Sequence, residues 1–179
     1  LVIVFLRPLG LRLEAESLPL TADDPVALDW HNGRRTPDAD PRVRGAIDGL
    51  TLATSAPAFF KALVEATAFG SRAINERMLE EGVPIDNIIA IGGIARKSSF
   101  VMRTMADVMG MPIRVLDSDQ ACALGAAMFA AVAAGVHGSV AEAQRAMRPG
   151  FSDEYRPDME RHAIYDYLYA RYLKLGAAR

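Results

Sequence analysis

Residues 88–100, IIAIGGIARKSSF, hold the residue types best suited to chemistry in this 179-residue chain. An apolar run over 87–91 enters the glycines Gly92 and Gly93, which reads as a buried strand turning tightly into a helix over about 97–109. Glycines carry no Cβ, so a ligand can reach their backbone, and the first N–H groups of a helix have no partner within it. That combination suits a nucleotide. Neither G-x-G-x-x-G nor G-x-x-x-x-G-K-[ST] occurs, which excludes a Rossmann fingerprint and a P-loop. A glycine pair also makes an ordinary strand-to-helix corner, and both readings stand at this point. Lys97 and Arg96 are placed to face a phosphate or an adenine ring, and equally to be solvated cations of a first helical turn.

A second run, SDQACALGAAMFAAVAAG over 118–135, predicts a helix over 120–134 with cap candidates in Asp117, Ser118 and Asp119. Gly125 in its interior costs ~1 kcal/mol relative to alanine. With Ala123, Ala126 and Ala127, it predicts close packing against a neighbour, or a helix start bordering the same pocket as Gly92 and Gly93. Asp29, Asp48 and Glu65 lie among apolar residues, where a general base would be useful, but none has a visible partner. Turn formation, capping or a buried hydrogen bond is the favoured reading for all three. His31, between Trp30 and Asn32, suits contact with a sugar ring as well as a surface turn. Cys122 reads as a small core residue, and Ser98-Ser99 has no companion base, so no triad is in view. One cysteine and three histidines without ligand spacing give no disulfide and no metal site.

These candidates need elements to hold them. Residues 1–40 read as loops with one or two strands, and WHNGRRTPDADPR over 30–42 is a loop rich in turn signals. Ser55 and Pro57 predict the start of a helix that ends near Gly82, its first half buried and its second half polar. A strand over 113–116 follows the helix of 97–109, so strand and helix alternate as in a parallel α/β layer. Helices over 139–147 and 158–175 close the chain, with Tyr165, Leu168, Tyr169 and Tyr172 as a packing stripe.

At 51% hydrophobic and 23% charged, the chain can build a sizeable core, which excludes disorder. Lys+Arg 20 against Asp+Glu 22 leaves no basic surplus for nucleic acid or an anionic membrane. The apolar start at residues 1–6 is too short for a membrane span of ~20 residues and lacks a basic flank, so the chain reads as cytosolic. It begins with Leu1, and is read as a piece of something longer.

The segments ALDWHNGRRTPDADPRVRGAIDGL, ATAFGSRAI, IGGIARKSSFVM and SDQACALGAAMFAAVAAGVH, in that order, resemble the C-terminal half of bacterial L-ribulokinases. These belong to the carbohydrate kinases that include glycerol kinase and xylulokinase. The resemblance implies an α/β, actin-like (ribonuclease-H-like) ATPase domain, of which this chain is the C-terminal domain only, with a helical tail. It divides the chain into a loosely assigned segment 1–25, an ATP-binding domain 26–150 and a tail 151–179. It implies ATP and Mg2+ as cofactors, with the adenosine motif at Gly92, Gly93, Ile94 and Ala95 and nucleotide-side roles for Lys97 and Ser98. Gly49 enters through the pattern Gly45-x-Ile47-x-Gly49-Leu50, which resembles a second family signature. The resemblance places no catalytic residue and no metal ligand in this chain; the catalytic aspartate, phosphate loops and most of the sugar pocket belong to the first domain. The implied function is the nucleotide-binding part of an ATP-dependent L-ribulokinase, inactive alone, with ATP or ADP as partner. The ketopentose is a partner only with the first domain, and a homodimer is among the open assemblies. A related pentulose or polyol kinase and a non-catalytic nucleotide-binding fragment are the alternatives.

Overall fold

The computed structural model describes residues 9–178; the apolar start at residues 1–6 lies outside them. The first element is a helix, α1 (Leu9–Ser17), where loops and strands are expected. Ala15 and Leu11, four apart on one face, pack against Phe60, Val64, Phe100 and Val101, and this tertiary burial offsets a weak local signal. β1 (Val26–Ala27) and β2 (Ile47–Asp48) then pair antiparallel. The loop between them folds back through bridges at His31–Gly33 and Arg34–Asp40.

The longest element is α2 (Ala56–Glu80). Ser55 caps it, its Oγ accepting from the Ala58 N–H at 3.3 Å. Gly82, at φ 81°, ends the helix in a conformation that glycine adopts without strain. Its buried residues all fall between Phe60 and Gly70, and the polar second half lies nearer solvent, as the sequence pattern predicts.

β3 (Ile88–Ala90) leads to two helices, α3 (Gly93–Lys97) and α4 (Ser99–Met109), where a single helix is expected. The extended backbone of Ser98 interrupts them, and its Oγ accepts from the Val101 N–H to start α4. β4 (Ile113–Leu116) pairs parallel with β3, from Ile88 opposite Ile113 to Ala90 opposite Val115. Next come α5 (Ala121–Ala133) and α6 (Val140–Met147), capped by Ser139. β5 (Phe151–Tyr155) adds an antiparallel strand beside β4, so the tail read as helical opens inside the sheet. Its polar sequence hides it, although Phe151 lies under the Arg114 guanidinium at 4.3 Å.

The last element, α7 (Met159–Ala177), is capped by Asp158, whose carboxylate accepts from the Glu160 and Arg161 N–H groups. Asp107 on α4 receives the Asp158 N–H at 2.9 Å and the Arg161 guanidinium at 2.8 Å, tying the start of α7 to the body. Tyr165, Leu168, Tyr169 and Tyr172 then fill a core with Val26, Leu28, Trp30, Ala68, Phe69 and Val108. Close approach is built in at two glycines. A Cβ on Gly70 would stand 2.5 Å from the Asp29 carboxylate, and one on Gly176 would stand 2.7 Å from the Trp30 ring.

Candidate functional site

Gly92 and Gly93 form an open turn. Gly92 has φ 90°, and a Cβ built on either glycine would meet nothing within 4 Å. Because β3 and β4 run parallel, this turn and the loop over 117–120 leave the sheet at the same, carboxyl end, where open α/β sheets bind ligands. The second loop is held by two of its backbone N–H groups: that of Asp117 donates to the Gly150 carbonyl at 3.0 Å, and that of Gln120 donates to Ser118 Oγ at 3.3 Å. Asp117 and Asp119, expected as caps, instead face Arg96. Its guanidinium pairs with Asp119 and lies 3.5 Å from Asp117, while Gln120, at the N-cap of α5, makes no side-chain capping bond.

The other predicted site residues divide by what they touch. Ile94 is exposed, and Ala95 is buried among Met102, Ala106, Ile113 and Val115, where it fastens the turn to the sheet. Lys97 is exposed, its carbonyl accepting from the Arg12 guanidinium at 3.4 Å. Ser98 is engaged in capping α4. Gly92 to Ser98 therefore share one surface turn. Gly49 belongs to the other sheet, at the end of β2, with φ 80° and Cβ space closed at 2.9 Å by the Arg171 guanidinium.

β3 is not buried as expected. Ile88 and Ala90 face the core, whereas Ile89 and, just beyond the strand, Ile91 are about half exposed, because β4 is its one neighbour and one sheet face lies open. Nor does α5 pack closely. Met128 is its one buried residue, Phe129 is 64% exposed, and the space around a Cβ at Gly125 is empty. Cys122, read as a core residue, is exposed on this helix.

The three candidate acids all have partners on α7. The Tyr172 hydroxyl donates to Asp29 at 2.9 Å, the Tyr165 hydroxyl donates to Glu65 at 3.0 Å, and Arg171 lies 3.4 Å from Asp48. A fourth contact repeats the pattern, the Tyr169 hydroxyl donating to Glu76 at 2.7 Å. Burial pushes Asp29 above the usual carboxylate range, against the pull of the Tyr172 hydroxyl. Burial likewise pushes Glu65 up to about 7, opposed by Lys61 at 3.8 Å and by Tyr165. The tyrosines are raised by their own desolvation and by the carboxylates they meet. The favoured reading, a buried hydrogen bond, therefore describes Asp29 and Glu65. Their partners were discoverable only as hydroxyl tips on a stripe that also reads as plain core. His31 lies against Gly45, its imidazole 2.9 Å from where a Cβ there would be. Among the described residues no group of three His, Cys, Asp or Glu side chains could hold a metal ion, and no helix is long and apolar enough to cross a membrane.

Residues 8–134 match the C-terminal domain of the FGGY family of carbohydrate kinases. The chain is 49% identical over 162 residues to a ribulokinase from Vibrio parahaemolyticus, an overlap covering 90% of this chain and 29% of that protein. It is 42% identical over 166 residues to a ribulokinase from Bacillus licheniformis, covering 90% of this chain and 30% of that one. The crystal structure of xylulose kinase from Rhodospirillum rubrum matches 94% of this chain and 33% of its own, with a TM-score of 0.79 and 28% identity. The chain thus spans about a third or less of the length of these proteins. The arrangement of helices and sheet is the actin-like ATPase fold of these sugar kinases, as the resemblance implies.

Proposed function

The chain belongs to the FGGY family of carbohydrate kinases as a C-terminal domain, and from that premise we propose that it is the nucleotide-binding part of an ATP-dependent L-ribulokinase. The reaction assigned to the whole protein is phosphoryl transfer from ATP to the terminal hydroxyl of L-ribulose, in L-arabinose breakdown in the cytoplasm. The observation that carries this reading is the open glycine turn at the carboxyl end of a parallel strand pair, in a chain 49% identical to a ribulokinase.

The residues present fit a nucleotide. No side chain stands within 4 Å of a Cβ position at Gly92 or Gly93, so a flat ligand can lie on their backbone, with Ile94 and Lys97 exposed beside it. Ala95 keeps this surface fixed to the sheet, and Ser98 directs the chain into α4. Gly49 enters indirectly, by letting Arg171 hold β2 to the tail helix. We assign residues 26–150 to the ATP-binding domain and 151–179 to a tail whose β5 completes the sheet, with 1–25 as a preceding segment. No residue of this chain is assigned to Mg2+, which the whole protein would take up with the phosphates of ATP. The candidate acids are committed to α7, so the base that deprotonates the sugar lies elsewhere in the whole protein. Half a cleft cannot orient both substrates, and the chain alone is expected to turn over no sugar. A homodimer is one assembly open to it.

Calorimetry with ADP tests the reading. The chain should bind ADP saturably, and Gly93→Asp should weaken binding by at least about tenfold. The new side chain meets empty space at a helix start, so it should occupy the ligand surface without unfolding the turn. In the full-length protein the same substitution should abolish L-ribulose-dependent ADP formation. Absence of ADP binding by the full-length protein, or unchanged binding by Gly93→Asp, overturns the assignment, and preference for another sugar in a panel of pentuloses and polyols redirects it to a related kinase.

A further inference from the structure

We infer that Arg96 is a positioning residue for nucleotide binding, a brace that sets the distance between the turn after β3 and the loop after β4. The inference rests on the proposed nucleotide reading and adds to it a side chain that need not touch the ligand. α3 is five residues long, has no side-chain cap, and follows a glycine turn open to solvent on the ligand side. Besides the Arg12 guanidinium on the Lys97 carbonyl, two contacts hold it. Ala95 is sunk among the sheet's core residues, and Arg96, the next residue, reaches across to the second loop. There its guanidinium pairs with Asp119 through one nitrogen and stands 3.5 Å from Asp117 through another. The Arg96 side chain is 28% exposed and the two carboxylates are more open, at 80% and 56%, so the cation is the more enclosed member.

A planar guanidinium can face two carboxylates at once with its nitrogens in a fixed fork, whereas an ammonium is a point charge. Arg96 therefore suits the span between Asp117 and Asp119 in a way lysine does not. Both loops lie at the ligand-binding end of the parallel strands, so any spread between them widens the nucleotide surface. Lys97 takes no part in the ion pairs of Asp117 and Asp119.

The opposing possibility is that Arg96 contacts phosphate directly and the aspartates merely hold it in reserve. The two roles predict opposite signs for one substitution. If Arg96 is a brace, Arg96→Ala and Asp119→Ala each weaken ADP by up to about fivefold, and the double variant is no weaker than the worse single one. If Arg96 binds phosphate, Asp119→Ala frees it and ADP binds as tightly as before or more so. Calorimetric ADP titration of the three variants is the experiment, with Arg96→Lys expected between wild type and Arg96→Ala. Hydrogen exchange at the Gly92 and Gly93 amides should rise in both single variants without ligand. In the full-length protein the KM for ATP should rise while the KM for the sugar stays fixed. Unchanged or tighter ADP binding by Asp119→Ala, additive losses, or unaltered exchange overturns the brace. If wild-type chain and full-length protein both fail to bind ADP, the nucleotide reading falls and takes the brace with it.

Discussion

The two halves of the molecule use their polar side chains and their backbone differently. Between α2 and α7, Phe69 meets Tyr165, Tyr169 and Tyr172 at ring distances of 5.5–6.1 Å, and each tyrosine hydroxyl ends on a carboxylate. On the side of β3, α3 and α5, Ile89, Ile91, Ile94, Phe129 and Val136 are exposed, and Gly92, Gly93, Gly125 and Gly135 open onto empty space. The first half ties these hydroxyls and carboxylates to one another. The second leaves bare glycine backbone uncovered at a sheet with one open face, whereas exposed apolar side chains such as Leu79, Met159 and Leu173 occur on the first half too. On the proposed function stability and binding fall to different halves, and substitutions should sort the same way.

The hardest test of that segregation is Phe69→Ala. Phe69 is fully buried and central to the aromatic cluster, so truncation should cost about 3–5 kcal/mol, as large-to-small core changes do. Denaturant unfolding would measure it. A loss below about 1 kcal/mol would mean that the cluster can collapse around the gap and that α2 and α7 are less tightly joined than the geometry indicates.

A middle-sized effect should come from Glu65, which lies in the sealed half and titrates near neutrality. Its value rises from an ordinary 4.5 to about 7 on burial, so the folded state holds the proton more firmly than the unfolded chain. Its contribution to stability is therefore full below about pH 4.5, falls as pH rises, and is gone above about pH 7. Lys61, Tyr165 and the more distant Arg161 oppose the rise, and Asp24 adds to it. Glu65→Gln keeps an acceptor for the Tyr165 hydroxyl but cannot ionise. Melts at pH 5 and pH 8 should show wild type losing on the order of 2 kcal/mol relative to the variant across that interval. Parallel pH profiles for the two proteins would place a charged Glu65 in a better-solvated site.

The sealed half was more legible than the open one, for a local reason. Ser55 with Pro57, Gly82 and Asp158 are terminus signals read from a few neighbouring residues, and the helices begin and end beside them. The tyrosine stripe repeats at helical spacing and is buried as expected. α1 was invisible because it forms through Ala15 and Leu11 packing on residues far along the chain. β5 was invisible because FSDEY has no apolar alternation and is stabilised by its register with β4. At the candidate site, the glycine turn was legible from residue types, whereas the pairing of Arg96 with Asp119, 23 residues away, depends on the parallel register of β3 and β4. The exposure of β3 and α5 was the principal reversal. Apolar composition predicts that a surface will be covered without saying by what, and nothing described in this chain covers that face.

Gly125 carries that reversal to the smallest effect. A glycine inside an alanine-rich helix normally implies a close neighbour, yet here a Cβ would meet nothing within 4 Å. Relief of backbone entropy should then dominate, and Gly125→Ala should stabilise this chain by about 0.5–1 kcal/mol in thermal or denaturant melts. In the full-length protein the sign becomes informative about the open face. If another segment lies against α5 there, the added methyl should remove the gain or turn it into a loss, because packed interfaces tolerate little extra volume. Equal stabilisation in both settings would show that α5 stays uncovered, and Gly125 would then have no packing role in either. Destabilisation of the isolated chain would contradict the open face itself, and with it the contrast between the two halves.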